Sequence, residues 1–359
     1  MILIQEILNV KKIEGTFVIG KSKKTRYDIE YLDERLKILM FKKDYERHPE
    51  LLKELKKISP ITNEFKSWTP LKLIGLSYFI GSYLDILAGM EKKHGPVELI
   101  YIDPFCGCGL NAVNEEILAG SPIITINCAS KVERKFDRLF FGDLNEGYTD
   151  ALKKRLQYIE SLWNYDWIKD KYTIQTADAN IFLNKVVDEL EKFQYKNYLA
   201  FIDPYFTSLS WESLERLLKI PYGDLIYTLQ SKLIAKEVCK NTSEQMFHNQ
   251  EKIDEYSRFF DLPPEEWIKL RTEKEVKQHF IKKIEQYKKF VLDIEISHEG
   301  YYYYLIFATR NQNPSWAPII RRLKKIIETY DGNAVQYSLD FISGKLPKGK
   351  TPRLSTFWQ

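Results

Sequence analysis

Four aspartates share one local setting. Asp103 closes the apolar run VELIYID, Asp143 closes FDRLFFGD, Asp178 follows YTIQTA, and Asp203 closes NYLAFID. Each comes at the end of a segment that reads as a β-strand. In an open parallel sheet, ligands bind beyond the carboxyl ends of the strands. Four acids so placed would line a single crevice. Carboxylates accept hydrogen bonds from hydroxyls and amines, so the crevice suits a neutral or cationic, hydroxyl-rich ligand that carries an adenine.

The spacing around each acid adds detail. YIDPFCGCG, residues 101–109, puts Gly107 and Gly109 in the turn after Asp103. Glycines there let the backbone approach a ligand with no Cβ in the way. The third glycine of the dinucleotide fingerprint is missing, with Val113 near its place, and no Gly-Lys-Ser/Thr phosphate loop is present. Asp143 can accept two hydrogen bonds from a ribose diol or cap a helix. It lies roughly 35–40 residues beyond the glycine turn, against ~20 in a dinucleotide unit. Asp178 can receive the exocyclic amine of adenine or cap the following helix. In FIDPYF, Pro204 fixes the turn after Asp203, so that carbonyl and carboxylate face one crevice and suit an amine, with Tyr205 or Phe206 free to stack on a flat base.

The elements that must position these residues alternate. The four strand runs and DLIYTLQ are separated by the helical segments TDALKKRLQYIESL, IFLNKVVDEL and WESLERLLK. Strands alternating with helices make a parallel sheet with helices on its faces, and nearly continuous apolar runs fit strands buried on both sides. The glycine turn is expected to lead to a helix, with NAVNEEILAGSPIITINCASK supplying a helix and an extra loop. Pro70 suits a first helical position, with Thr69 as cap, for a helix running to about Met90. A helical insert is expected over 231–289, including the basic, aromatic-bearing KQHFIKKIEQYKKF. FVLDIEIS and YYYYLIFATR follow as a hairpin, then a helix around Ala317–Thr329.

The chain thus reads as α/β, with a parallel sheet, helices on its faces and a closing hairpin. Residues 1–66 form a strand-rich extension, with ILIQEILNV, TFVIG and TRYDIEYL as strands, the lysines between them at turns and a short helix over PELLKELKKI. Residues 67–330 are the main domain, and 331–359 a basic, aromatic tail.

DPFCGCG resembles the DPFCGSG-type motif of S-adenosylmethionine-dependent amino-methyltransferases of nucleic acids. DPYF resembles their Asp-Pro-Pro-Tyr motif, with Tyr205 in place of the second proline and Phe206 at the aromatic position. The wider pattern is similar to the three-Cys-motif partner (TcmP) family. WTPLKLIGLSYFIGSYL resembles its front helix, Gly120-Ser121-Pro122 its Gly-Ser-Pro element, and FFGDLNEGYTDALKKRL and LAFIDPY its later blocks, over roughly Ser67–Thr329. The resemblance implies a class I methyltransferase-like α/β fold, a doubly wound seven-stranded sheet whose last strand is antiparallel, with S-adenosylmethionine as cofactor. It implies cofactor contacts from Asp103, Phe105, Gly107, Gly109, Asp143, Leu144, Asp178 and Ala179. Asp203, Pro204, Tyr205 and Phe206 would orient an acceptor, expected to be a nucleic-acid base amine, DNA or RNA. The alternative is a cofactor-binding partner subunit of a three-cysteine-motif radical or iron–sulfur protein, without its own transfer activity.

The rest of the sequence narrows the field. Of 359 residues, 54 are basic and 50 acidic, a net charge of +4 that does not by itself point to nucleic acid. Four cysteines make a disulfide scaffold an unlikely design, and a reducing cytoplasm is expected. Cys106 and Cys108 are too close for the usual metal pair, the five histidines are scattered, and no Gly-x-Ser-x-Gly elbow occurs. No metal site is expected. The opening MILIQEILNVKK lacks the pattern of a signal peptide, and no apolar run of membrane-span length is read.

Overall fold

The computed structural model describes residues 21–43, 45–240, 249–298 and 301–346. Two helices, Lys21–Leu39 and Leu51–Ile58, precede a three-residue strand, β1 (Asn63–Phe65), and the long helix Pro70–His94. Then come β2 (Glu98–Asp103), the hairpin β3 (Leu110–Val113) and β4 (Glu116–Ala119), helix Ser121–Ser130, β5 (Arg138–Asp143), helix Glu146–Ile159 and β6 (Tyr172–Thr176). Helix Ala179–Glu191, β7 (Lys196–Ile202), helix Trp211–Lys219 and β8 (Gly223–Leu229) continue the alternation. Helices Ser231–Lys240, Gln250–Phe260, Pro264–Trp267 and Glu273–Glu285 form the expected insert. β9 (Phe290–His298), β10 (Tyr301–Thr309) and helices Ala317–Ile327 and Gly332–Ile342 close the described chain.

Seven strands form one sheet in the order β6-β5-β2-β7-β8-β10-β9. β10 runs antiparallel to β8, and the five strands from β6 to β8 are mutually parallel. This is the methyltransferase-like, doubly wound sheet with a reversed last strand. The period-2 alternation of a strand sorts its side chains into two cores. Leu99 and Tyr101 of β2, Leu199 and Phe201 of β7, and Leu305 and Phe307 of β10 pack into one, with Leu73, Leu76, Phe79, Ile80 and Leu323. Ile100 and Ile102, Ala200 and Ile202, and Ile306 and Ala308 pack into the other, with Phe182, Leu214, Phe259 and Phe280. Two buried faces explain why these strands read as unbroken apolar runs.

Four expectations need correction. TRYDIEYL belongs to the helix Lys21–Leu39, and ILIQEILNV and TFVIG lie outside the described residues. The glycine turn leads first to the β3–β4 hairpin, and its helix begins only at Ser121. β3 also pairs in parallel with β1 (Asn63↔Asn111, Phe65↔Val113), so the extension does contribute a strand beside the turn. The segment from 331 opens with helix Gly332–Ile342, capped by Asp331, whose side chain accepts from the Ala334 N–H. Residues 347–359 of that expected tail lie outside the described residues. Thr69 is itself helical and makes no side-chain cap, although Pro70 does occupy the first turn. By length and composition Pro70–His94 could cross a membrane, but half of its apolar stretch is buried within the fold.

Candidate functional site

Parallel pairing brings the acids to one edge. Asp103 of β2 is level with Phe141 of β5, and Asp143 is level with Thr176 of β6. β7, which ends just before Asp203, lies on the other side of β2. Gly107 and Gly109 adopt φ of +58° and +82°, a region that L side chains rarely enter. The turn they form is tied to its surroundings through the backbone. The Cys106 N–H donates to the Gly142 carbonyl at 2.9 Å, and the Gly107 N–H donates to Asp143 Oδ2 at 3.0 Å. Asp143 Oδ1 accepts from the Asn145 N–H at 2.9 Å.

Asp103 is fully buried. One oxygen accepts from the Phe105 N–H at 3.2 Å, and Oδ2 has no hydrogen-bond partner of normal geometry. Burial raises its pKa to about 7. The Ser121 hydroxyl and the Phe105 N–H hold it down in part, while the charges of Asp203 and Asp143 push it further up. Burial also raises Asp143, against the backbone N–H groups of Asn145, Gly107 and Leu144. Cys106 is buried too, and its thiol is pushed well above its ordinary range, which argues against a thiolate nucleophile there. Among the described residues, no group of three or more His, Cys, Asp or Glu could hold a metal.

Two large apolar side chains close in sequence to these strand ends are exposed to solvent. Leu144 is 73% exposed and Ile181 is 55% exposed, one after each of Asp143 and the β6 turn. Asp178 caps the helix that starts at Ala179, accepting from the N–H groups of Asn180 at 2.9 Å and Ile181 at 3.4 Å. Its capping role is therefore real, and Ala179 is buried behind it.

Asp203 is ion-paired to Lys72, a residue that belongs to none of the four aspartate-bearing sequence motifs. The lysine ammonium also sits 4.9 Å from the centre of the Phe65 ring. The signal for Lys72 was its isolation: it is the one charge in the apolar run Pro70–Ser77. Beyond Asp203, the Pro204 carbonyl accepts from Gln230 Nε2 at 3.4 Å. Tyr205 is 86% exposed. Phe206, at φ +58°, turns back to meet Tyr256 of the insert edge-on at 6.1 Å, and Thr207 donates to Glu255. The insert thus holds the loop that presents Tyr205.

The inner part of the crevice is narrow. A cavity of about 20 Å³, room for a single water, lies between Phe105, Cys106 and Ser121 on one side and Lys72 and Asp203 on the other. Asn63 and Phe65 of β1 complete its wall. A Cβ on Gly107 would lie 2.4 Å from Asn63 Nδ2, so the asparagine covers the open face of the turn. Asn63 donates to Asn111 Oδ1 at 3.0 Å, and its own Oδ1 is buried without a partner. Arg155 fastens the extension in place. Its fully buried guanidinium donates to the carbonyls of Leu55 (3.2 Å), Ser59 (2.7 Å), Ile61 (2.6 Å) and Cys108 (2.5 Å). Nothing in the local sequence marks Asn63 or Arg155, because each acts across a long stretch of chain.

No family model and no curated protein matches the chain. Among solved structures it is similar to a Legionella pneumophila protein, with a TM-score of 0.42 and 16% identity over 71% of this chain and 90% of that one. It is similar to an O-methyltransferase from Bacillus cereus in complex with SAH, at 0.42 and 14% over 78% and 99%. It is also similar to the METTL16 MTase domain, at 0.37 and 11% over 82% and 100%. The order and direction of the seven strands carry the fold assignment here.

Proposed function

We propose that this protein is an S-adenosylmethionine-dependent methyltransferase acting on an amine of a nucleic-acid base. The observation that carries the reading is the fully buried Asp103, whose one hydrogen bond of normal geometry comes from the Phe105 N–H and whose Oδ2 has only the Ser121 hydroxyl to draw on, set beside two left-handed glycines, with Asp143 at the end of the adjoining strand. A buried carboxylate with so few hydrogen bonds is costly unless a ligand supplies more. Asp103 would face the amino-acid end of the cofactor, Asp143 would take the ribose hydroxyls, and exposed Leu144 and Ile181 would cover the adenine faces. Asp178 keeps a second oxygen for the adenine amine while its first caps the helix. When bound, the cofactor supplies an electrophilic methyl group. Asp203 and Pro204 would orient the acceptor amine, and Tyr205 would stack on its ring.

At its outer end the ligand would find side chains of suitable chemistry in Asp143, Leu144, Asp178 and Ile181. At the inner end Asn63 and Phe65 must step back, because a space for one water does not hold an amino-acid moiety.

A second reading has its own support. Lys72 occupies Asp203, and Tyr205 stands where the related motif has a proline. Both features favour a TcmP-like partner subunit that binds the cofactor without transferring its methyl. Calorimetric titration with S-adenosylmethionine separates the cases. Micromolar binding, weakened at least tenfold by Asp143→Ala, supports the cofactor assignment, and equal affinity in the two proteins sinks it. A radiolabelled-methyl screen over DNA, RNA and protein then decides between enzyme and subunit.

A further inference from the structure

Lys72 and Asp203 form a nearly buried pair of opposite charges at the inner end of the crevice. Their side chains are 11% and 16% exposed. Both line the same small cavity as Phe105, Cys106 and Ser121, which belong to or adjoin the glycine turn. The strands that end at Asp103 and just before Asp203 are neighbours, and Asp203 is close enough for its charge to be felt at Asp103. Any donor that presents a methyl group to an acceptor at Asp203 therefore presents it to the Lys72 ammonium as well.

The two charges act on such a donor with opposite sign. A sulfonium is attracted by the carboxylate and repelled by the ammonium, whereas the thioether left after transfer is neutral and feels neither strongly. At a few ångströms and an effective dielectric near 20, one unpaired charge changes the affinity for a cation by an order of magnitude or more. Paired, the two nearly cancel.

We propose that Lys72 is a specificity-determining residue that balances Asp203, so that the crevice holds a cationic methyl donor and its neutral thioether product with similar strength. The proposal rests on the cofactor reading above. It gives the ion pair a role beyond occupying the acceptor carboxylate. Without Lys72, Asp203 would draw the sulfonium into a deep ground-state well, and binding the ground state more tightly does not speed transfer. An acceptor amine that reaches Asp203 must compete with Lys72 for it.

The test is calorimetric titration of the full chain with S-adenosylmethionine and S-adenosylhomocysteine, at one pH and one salt concentration. Wild type should show a ratio of the two affinities near one. Lys72→Met should shift the ratio about tenfold toward the sulfonium, and Asp203→Asn about tenfold toward the thioether. The double variant should return within about threefold of wild type, and Lys72→Arg should keep the wild-type ratio. Equal changes for both ligands in each single variant would assign the pair a purely structural role and overturn the proposal. If Lys72→Met fails to fold, Asp203→Asn and Lys72→Arg still decide the sign. Wild type that binds neither ligand would refute the cofactor reading itself, a result distinct from binding with an unchanged ratio.

Discussion

Two buried charges of opposite sign meet the glycine turn, and they are treated in opposite ways. Arg155 is completely buried, and its guanidinium donates to four backbone carbonyls. Burial lowers its pKa, and among the described residues no carboxylate pairs with it. Asp103, equally buried, has one backbone N–H on one oxygen and nothing of normal geometry on the other. A buried charge whose hydrogen bonds are complete is architecture. One whose hydrogen bonds are incomplete keeps room for a partner. The same turn is therefore clamped by Arg155 and incompletely bonded at Asp103.

Breaking the clamp should have the largest effect. Arg155→Met would leave four carbonyls without their donor and free the extension from the glycine turn. Loss of stability on the order of 3–5 kcal/mol is expected in urea denaturation, as for other broken buried charge networks. Arg155→Lys should recover only part of it, since a single ammonium cannot reproduce the fork. A loss below about 1 kcal/mol for Arg155→Met would show that water replaces the clamp and would remove the contrast with Asp103.

Asp103→Asn should move stability the other way. The folded-state pKa of about 7 lies above the ordinary carboxylate value of 3.8. Below pH 4 the group is protonated in both folded and unfolded chains. Between pH 4 and 7 the folded chain binds more protons than the unfolded one, so stability falls as pH rises, and it stays low above 7. Asp103→Asn removes that penalty. Its melting temperature at pH 8.5 should match or exceed wild type, by an amount equivalent to roughly 1–3 kcal/mol, and the gain should vanish near pH 4. A cationic ligand would favour the ionised carboxylate, so wild-type affinity should rise from pH 6 to 8 and the variant's should not. A variant less stable than wild type at pH 8.5 would mean that the ionised group is already compensated.

The regions that were legible in the sequence are those where one pattern settles the structure. The five parallel strands read correctly because burial on both faces leaves few polar residues in them, and the four aspartates at or just past strand ends are placed by where those apolar runs stop. The extension misled because TRYDIEYL alternates over its own short span. The helical repeat emerges only further on, where Leu32, Leu36 and Leu39 form one buried stripe. The segment after Tyr330 was lost at Asp331-Gly332, which look like a turn and instead start a helix. The β3–β4 hairpin is too short to stand out, and its register is set by β1 and by the Gly120 N–H, which donates to the Gly109 carbonyl at 2.7 Å. The closure of the crevice was the least legible feature. Asn63, Lys72 and Arg155 reach the glycine turn or Asp203 from elsewhere in the chain, and such contacts leave no local periodicity.

The smallest effect on folding is expected where the site meets solvent, at two adjacent rings after Asp203. Either Tyr205 or Phe206 was a candidate for stacking on an acceptor base, and their surroundings differ. Phe206 is folded back onto Tyr256 and packs on the core beneath the insert, so it holds the loop. Tyr205 is 86% exposed, and its part in the fold is a backbone one, its carbonyl accepting from the Ser208 N–H at 3.2 Å. Tyr205→Ala should change stability by less than about 0.5 kcal/mol, the range of ordinary surface substitutions. Stacking on one base is worth about 1–3 kcal/mol, so affinity for single-stranded oligonucleotide should fall roughly 5- to 100-fold, with binding of S-adenosylmethionine unchanged. Phe206→Ala should instead lower the melting temperature and weaken both ligands through the loop. Equal oligonucleotide affinity in wild type and Tyr205→Ala would take the stacking role away from this position, and with it the main support on the acceptor side for a nucleic-acid target.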